Sequence, residues 1–111
     1  MGLTKTTLFT DEQNKTAKMA RAFAHPARVA ILQNLLRANT CINSDLVKEL
    51  GLAQATISQH LRELKEIGLI KGTIEGASMC YCIEPKVWEY FKSVFVEFFG
   101  KYNTQDEKDC C

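Results

Sequence analysis

The chain has 111 residues, with 14 basic and 13 acidic side chains and a formal net charge of +1. This length predicts one domain that can fold without a metal or a disulfide to hold it together. The near-balance of charge gives no strongly basic footprint, so a prediction of DNA binding must rest on motifs and side-chain types, although Arg21, Arg28, Arg37 and Lys48 could add local positive potential once folded. The first residues lack the apolar core of an export signal, so we expect a cytoplasmic protein.

The first predicted helix runs from about Asp11 to Phe23. The hydroxyl of Thr10 can cap it by accepting a hydrogen bond from an unpaired amide of the first turn, and the acidic Asp11 suits the positive end of a helix. A second helix is predicted to begin at Pro26, because proline is well tolerated in a first helical turn.

A helix-turn-helix pattern follows. A short helix from Asp45 to Leu50 ends at Gly51, which tolerates the positive φ that a helix stop requires. A longer helix is predicted from Gln54 to Ile67. Along it, apolar residues recur every three or four positions, so that one face packs and the other is free to contact a ligand. These apolar residues are Ile57, Leu61, Leu64 and Ile67.

The other face of this longer helix carries short hydrogen-bonding side chains. Such side chains pair with base edges and phosphates in the major groove of B-DNA. The alternative is that they only face water, and for His60 a partly buried role is also open. The DNA contacts that we expect from this helix are Gln54, Thr56, Ser58, Gln59, His60 and Arg62.

The segments Leu69 to Ile74 and Ser78 to Ile83 flank the turn residues 75–77, as expected for a β-hairpin. Such a hairpin beside a helix-turn-helix is the wing of a winged helix-turn-helix. Its Lys71 and Thr73 would reach the DNA phosphate backbone, where contacts fix position without reading sequence. The alternative for Lys71 is an exposed charge at a strand edge.

The last helix, beginning at Pro85, is apolar on more than one side. Such a helix needs cover from its own domain and from something else, and a partner subunit is the natural cover because large exposed apolar patches are rare on soluble monomers. Its apolar stretch of about 13 residues is too short to cross a bilayer, so no membrane contact is expected. The expected interface residues on this helix are Trp88, Phe91, Phe95, Phe98 and Phe99.

The five cysteines predict thiol chemistry. Cys80 and Cys82 lie two apart on a predicted strand and so project from one face. In a winged helix, the segment 40–42 lies beside the second wing strand, which would bring Cys41 near Cys82. Three thiolates suit arsenite, antimonite or another thiophilic ion, whereas zinc would want a fourth ligand. The tail cysteines Cys110 and Cys111 could join such a site or have no role in it.

Two other interpretations of the cysteines are open. They could be small buried hydrophobes, as free cysteines often are, or sensors of persulfide or oxidants. In a cytoplasmic protein, reduced thiols are expected more often than structural disulfides.

Three motifs in this order resemble the ArsR/SmtB family of bacterial repressors. Residues 24–32 look like the family's helix-opening signature, residues 52–64 are close to its recognition-helix signature, and Gly68-Leu69-Ile70 leads into the ribbon. The resemblance implies a symmetric dimer that represses its own operon until an inducer, often a metal or metalloid ion, lowers its affinity for DNA. It also implies that the first helix joins the dimer interface, with Met19 and Phe23 as contacts.

The chain departs from the family's metal-sensing pattern in two places. Metal-sensing members often carry a Cys-x-Cys pair just before the turn-helix element, whereas this chain has Cys41-Ile42-Asn43. The last helix has no histidine, so the family's zinc site on that helix cannot be built from it.

The predicted fold is mainly α with a small β-hairpin wing: a dimeric winged helix-turn-helix in the order α1-α2-α3-α4-β-β-α5. We expect an N-terminal arm at 1–10, one DNA-binding and dimerisation domain at 11–101 and a flexible tail at 102–111. The sequence contains no phosphate loop, nucleophile elbow or His-Glu-x-x-His motif, so we do not expect an enzyme. The expected function is a repressor that binds a palindromic double-stranded DNA operator as a homodimer, and the alternative is a winged helix used only for protein interaction.

Overall fold

A computed structural model describes residues 8–38, 46–73 and 80–103. It confirms a mainly helical chain with a two-stranded antiparallel wing, in the order of a winged helix-turn-helix. The helices are α1 (Asp11–Ala20), α2 (Pro26–Ala38), α3 (Leu46–Leu50), α4 (Gln54–Ile67) and α5 (Pro85–Gly100), and the strands are β1 (Ile70–Thr73) and β2 (Cys80–Ile83).

Helix α1 begins as the sequence predicts and ends earlier. The Thr10 hydroxyl accepts from the amide of Gln13 at 3.0 Å, and the Gln13 side chain accepts from the amide of Thr10 at 2.9 Å, which forms a capping box. The predicted continuation to Phe23 is wrong in its last turn. Arg21–Phe23 is a 3₁₀ helix, closed by a hydrogen bond from the amide of Ala24 to the carbonyl of Arg21 at 3.2 Å.

The boundaries of α4 agree with those predicted from the spacing of its apolar residues. Gly51, in the turn before α4, has φ +69°. At the other end, Gly68 caps the helix with φ +98°, and its amide donates to the carbonyl of Leu64 at 3.1 Å. Glycine adopts this left-handed conformation without the strain that a Cβ atom would bring. Gly51 therefore allows the turn after α3, and Gly68 fixes the end of α4.

The wing follows α4 directly. Strands β1 and β2 are antiparallel, with Ile70 opposite Ile83 and Thr73 opposite Cys80. The amide of Glu84 donates to the carbonyl of Leu69 at 2.8 Å, which closes the base of the ribbon. The predicted turn at 75–77 and the neighbouring predicted strand residues Ile74, Ser78 and Met79 lie outside the described residues.

One core joins the helices and the wing. Its members come from α1, α2, α3, α4, β1, β2 and α5, so the packing that folds the domain also fixes α4 relative to the wing. Burial of Tyr81, helped by the negative charge of Glu49, raises the pKa of Tyr81 to about 12. Side chains that are almost fully buried in this core are Ile31, Ile57, Leu61, Leu64, Leu69 and Tyr81.

The membrane prediction concerns α5, the most apolar helix. Within the three described segments, no helix combines the length and the apolar character needed to cross a bilayer.

Candidate nucleic-acid interface

Helix α4 has one buried face and one open face. The buried face carries Ile57, Leu61 and Leu64, each at most 2 % exposed. Most of the side chains predicted to contact DNA lie on the other face. Gln54, Thr56, Gln59 and Arg62 are exposed, and Ser58 is half-buried.

Two hydrogen bonds along the open face hold its amide side chains. Gln54 Nε2 donates to Ser58 Oγ at 3.1 Å, and Gln59 Nε2 donates to Glu63 Oε1 at 3.2 Å. Both pairs are four residues apart, a spacing at which side chains on a helix are neighbours. The contacts orient the amides while leaving the amide oxygens of Gln54 and Gln59 for other donors.

His60 lies on the buried face of α4 and is 7 % exposed. Its Nδ1 accepts a hydrogen bond from Arg28 Nε at 3.2 Å, and its ring centroid is 4.4 Å from that of His25. Burial, then the charges of His25 and Arg28, lower the pKa of His60. The position favours the partly buried role over a direct DNA contact.

Sequence reasoning missed the polar network around His60. The sequence did not indicate Arg28 as part of this network, in which Arg28 contacts His60, Glu63 and the carbonyl of Arg21. The one sequence signal for it is the spacing of His60 and Glu63, three residues apart and thus neighbours on α4. Which arginine meets them depends on the crossing of α2 and α4.

The wing places its two predicted phosphate contacts at the surface. Lys71 and Thr73 are exposed, and the Lys71 Nζ lies 3.3 Å from Glu84 Oε2. A phosphate would therefore compete with Glu84 for the Lys71 ammonium. The sequence did not indicate Lys65, whose Nζ donates to the carbonyl of Gly72 at 2.7 Å and ties β1 to α4.

The predicted sulfur site falls partly outside the described residues, since Cys41, Cys110 and Cys111 are not described. Cys80 is disulfide-bonded, and Cys82 is a half-buried free thiol. Among the described residues no group of three His, Cys, Asp or Glu side chains converges on a metal-sized site. The three-thiolate site stays a prediction for the reduced protein, because a sulfur in a disulfide is not a thiolate ligand.

The predicted dimer residues divide into two groups. Met19 and Phe91 are 4 % and 6 % exposed and belong to the core of the protomer, against which Trp88 and Phe95 pack. Phe23 packs edge-to-face on Phe91 and Phe95, with centroid distances of 6.4 and 6.5 Å. The surface left open is at the end of α5, where Phe98 and Phe99 are 55 % and 71 % exposed.

Comparison with known proteins agrees with this architecture. Residues 25–71, from the start of α2 into β1, match the model of the arsR family of bacterial regulatory proteins. An HTH-type transcriptional regulator of Methanocaldococcus jannaschii is 33 % identical over 85 residues, which are 76 % of this chain and 96 % of that protein. The chain belongs to the arsR family.

Two further relatives of this arsR-family chain come from Mycobacterium tuberculosis. The HTH-type transcriptional repressor SmtB is 36 % identical over 64 residues, which are 58 % of this chain and 47 % of the repressor. The HTH-type transcriptional regulator CmtR is 35 % identical over 71 residues, 64 % of this chain and 59 % of the regulator. The matched segment thus spans about half of these two mycobacterial proteins.

Family membership and the open face of α4 give the general function. The chain is a DNA-binding transcriptional regulator and not an enzyme. The matched residues include α4 and its approach to the wing, so the segment that carries the family likeness is also the segment that presents the candidate DNA contacts.

Proposed function

We propose that this regulator is a repressor that binds a palindromic operator as a homodimer in the cytoplasm. The observation that supports this most is the open face of α4, where short polar side chains are exposed while the apolar face is locked into the core. A major groove admits a helix of this kind. In a symmetric dimer, two copies of α4 would enter successive major grooves about 34 Å apart.

In this proposal the side chains divide between reading and positioning. Gln54, Gln59 and Arg62 are the candidates for base edges, because amide and guanidinium groups form bidentate pairs with purines. Thr56, Ser58 and the wing residues Lys71 and Thr73 are candidates for phosphates. His60 supports the helix from beneath and does not touch DNA.

Gln59→Ala tests the proposed reading of a base. If Gln59 pairs with a base edge, this variant should bind a duplex from the gene's own upstream region more weakly by about 1–3 kcal/mol. Fluorescence anisotropy of the labelled duplex gives the affinity at fixed salt. Gln33→Ala is the matched control, because it removes the same side chain from an exposed position on α2. Equal affinities for both variants would remove Gln59 from the interface.

We further propose that the inducing signal acts on the cysteines at the base of the wing. A ligand or a bond that moved β2 would also move Lys71, which pairs with Cys82 in the strand register. A ligand or a bond that favours the DNA-incompetent form of the dimer over the DNA-bound form would then release the dimer from DNA. The disulfide at Cys80 supports a thiol-redox signal, and the free thiol of Cys82 supports a thiophilic ligand such as arsenite.

The two signals are separated by treating the DNA-bound protein in two ways. Arsenite added to fully reduced protein should raise the dissociation constant at least about tenfold if three thiolates bind it, and Cys82→Ser should abolish that response. Cys82→Ser without arsenite is the control for loss of the thiol itself, because its affinity for DNA should then match that of the untreated wild type. A thiol oxidant that releases DNA while arsenite does not would favour the redox signal, and release by neither would exclude both.

A further inference from the structure

Arg28, in the first turn of α2, contacts two other parts of the fold at once. Its Nη1 donates to the carbonyl of Arg21 at 2.9 Å, and its Nε donates to His60 Nδ1 at 3.2 Å. Its Nη2 forms an ion pair with the carboxylate of Glu63. A guanidinium can do this because its donors point in fixed, divergent directions. Arg28 therefore joins the turn after α1 to two successive turns of α4.

The contact continues from Arg28 to the open face of α4. Glu63 Oε2 is buried and faces the Arg28 guanidinium, while Glu63 Oε1 accepts the hydrogen bond from Gln59 Nε2 at 3.2 Å. The Arg28 side chain is only 15 % exposed, so its charge is held close to the carboxylate. Arg28 thus fixes the carboxylate that in turn orients the Gln59 amide.

We infer that Arg28 is a positioning residue for DNA recognition. It fixes the position of α4 on the core through His60, and it fixes the orientation of the Gln59 amide through Glu63. The inference rests on the proposed function, because it deepens the role given there to Gln59. Arg28 acts through other side chains and supplies no base contact. Without it, α4 would keep its apolar packing but lose the polar contacts that fix the rotation of its open face.

The state of His60 fits this role. Nδ1 accepts a hydrogen bond only when that nitrogen is unprotonated. Burial, with the charges of His25 and Arg28, lowers the pKa of His60, which favours the neutral ring. The amide of Ala27 donates to His25 Nδ1 at 3.0 Å, which fixes the neighbouring ring as well.

Arg28→Met tests the inference, with Arg37→Met as the matched control in the same helix. Arg37 Nη2 donates to Asn34 Oδ1 at 3.0 Å. Both residues lie in α2, so this hydrogen bond does not join α2 to another part of the fold. The readout is the specificity ratio, which is the affinity for the upstream duplex divided by that for a scrambled duplex of equal length. Arg28→Met should lower this ratio about tenfold or more, because phosphate contacts survive while base contacts are misplaced.

A role in stability alone would leave this ratio unchanged, since molecules that stay folded would still read the same bases. Arg37→Met should stay within about twofold of the wild type in both affinities. An unchanged ratio in folded Arg28→Met would overturn the inference. If that variant does not fold, Glu63→Gln decides instead: a ratio lowered about threefold or more supports the inference, and an unchanged ratio overturns it.

Amide hydrogen exchange across residues 54–67 gives a second readout that needs no DNA. The amides of residues 54–67 should exchange at least about tenfold faster in Arg28→Met than in the wild type and in Arg37→Met, because α4 loses its hydrogen bond and ion pair with Arg28. Unchanged exchange would overturn the inference. If the wild type does not discriminate between the two duplexes, the proposed function fails and the role of Arg28 in DNA recognition fails with it. Exchange then reports only whether Arg28 stabilises α4.

Discussion

Phe98→Glu is expected to convert the proposed dimer into a monomer at micromolar concentration. Phe98 is 55 % exposed and lies seven residues, or nearly two helical turns, after Phe91, which is 6 % exposed. The two therefore share one face of α5, and this face extends beyond the core of its own protomer. Burying a phenylalanine against a partner stabilises a dimer by about 1.5–3 kcal/mol, and a carboxylate in its place adds a desolvation cost.

Together these terms should raise the dimer dissociation constant about 100-fold or more, measured by sedimentation equilibrium over a range of protein concentrations. Val96→Glu is the matched control. Val96 is 63 % exposed, so it loses little contact, and it lies on the side of α5 that also carries Glu89 and Lys92. A Phe98→Glu protein that dimerises as tightly as Val96→Glu would place the interface elsewhere.

Leu61→Ala is expected to lower the free energy of unfolding by about 2–5 kcal/mol, as measured by urea denaturation. Leu61 has no solvent exposure and lies in the core on the buried face of α4. Truncation would remove apolar contacts and leave a cavity at the point where α4 packs on the rest of the domain. Because association in the proposed dimer would also contribute to stability, all variants must be compared at one protein concentration.

Thr56→Ala is the control for Leu61→Ala. It changes an exposed residue of the same helix and should alter the free energy of unfolding by no more than about 0.5 kcal/mol. A Leu61→Ala protein as stable as Thr56→Ala would show that this face of α4 is not the packed one. The assignment of Gln59 to the open face of α4 would then be wrong as well.

The sequence was sufficient to predict the elements that depend on local pattern. The regular apolar spacing from Ile57 to Ile67 and the glycine at 68 together determine α4, because periodicity and a helix stop are both local. The cap at Thr10 was predictable for the same reason. The 3₁₀ turn at Arg21–Phe23 was not, since no residue there forbids an α-helix and the tighter turn depends on how α1 meets α2.

The partners of the site residues were less predictable. His60 is polar and lies among polar neighbours in sequence, yet its position on α4 faces α2, where Arg28 meets it. Met19 looked like an interface residue, but it fills the core of its own protomer. In both cases the outcome depends on the crossing of helices far apart in sequence, which no single pattern encodes.

The central claim is that α4 reads a specific DNA sequence. The most direct test is fluorescence anisotropy of the wild-type, reduced protein with a labelled duplex from the gene's own upstream region, competed with a scrambled duplex. We predict saturable binding that the unlabelled upstream duplex displaces at about 1000-fold lower concentration than the scrambled one, at physiological salt. Equal displacement by the two duplexes would contradict the account, because binding would then depend on the phosphate backbone alone.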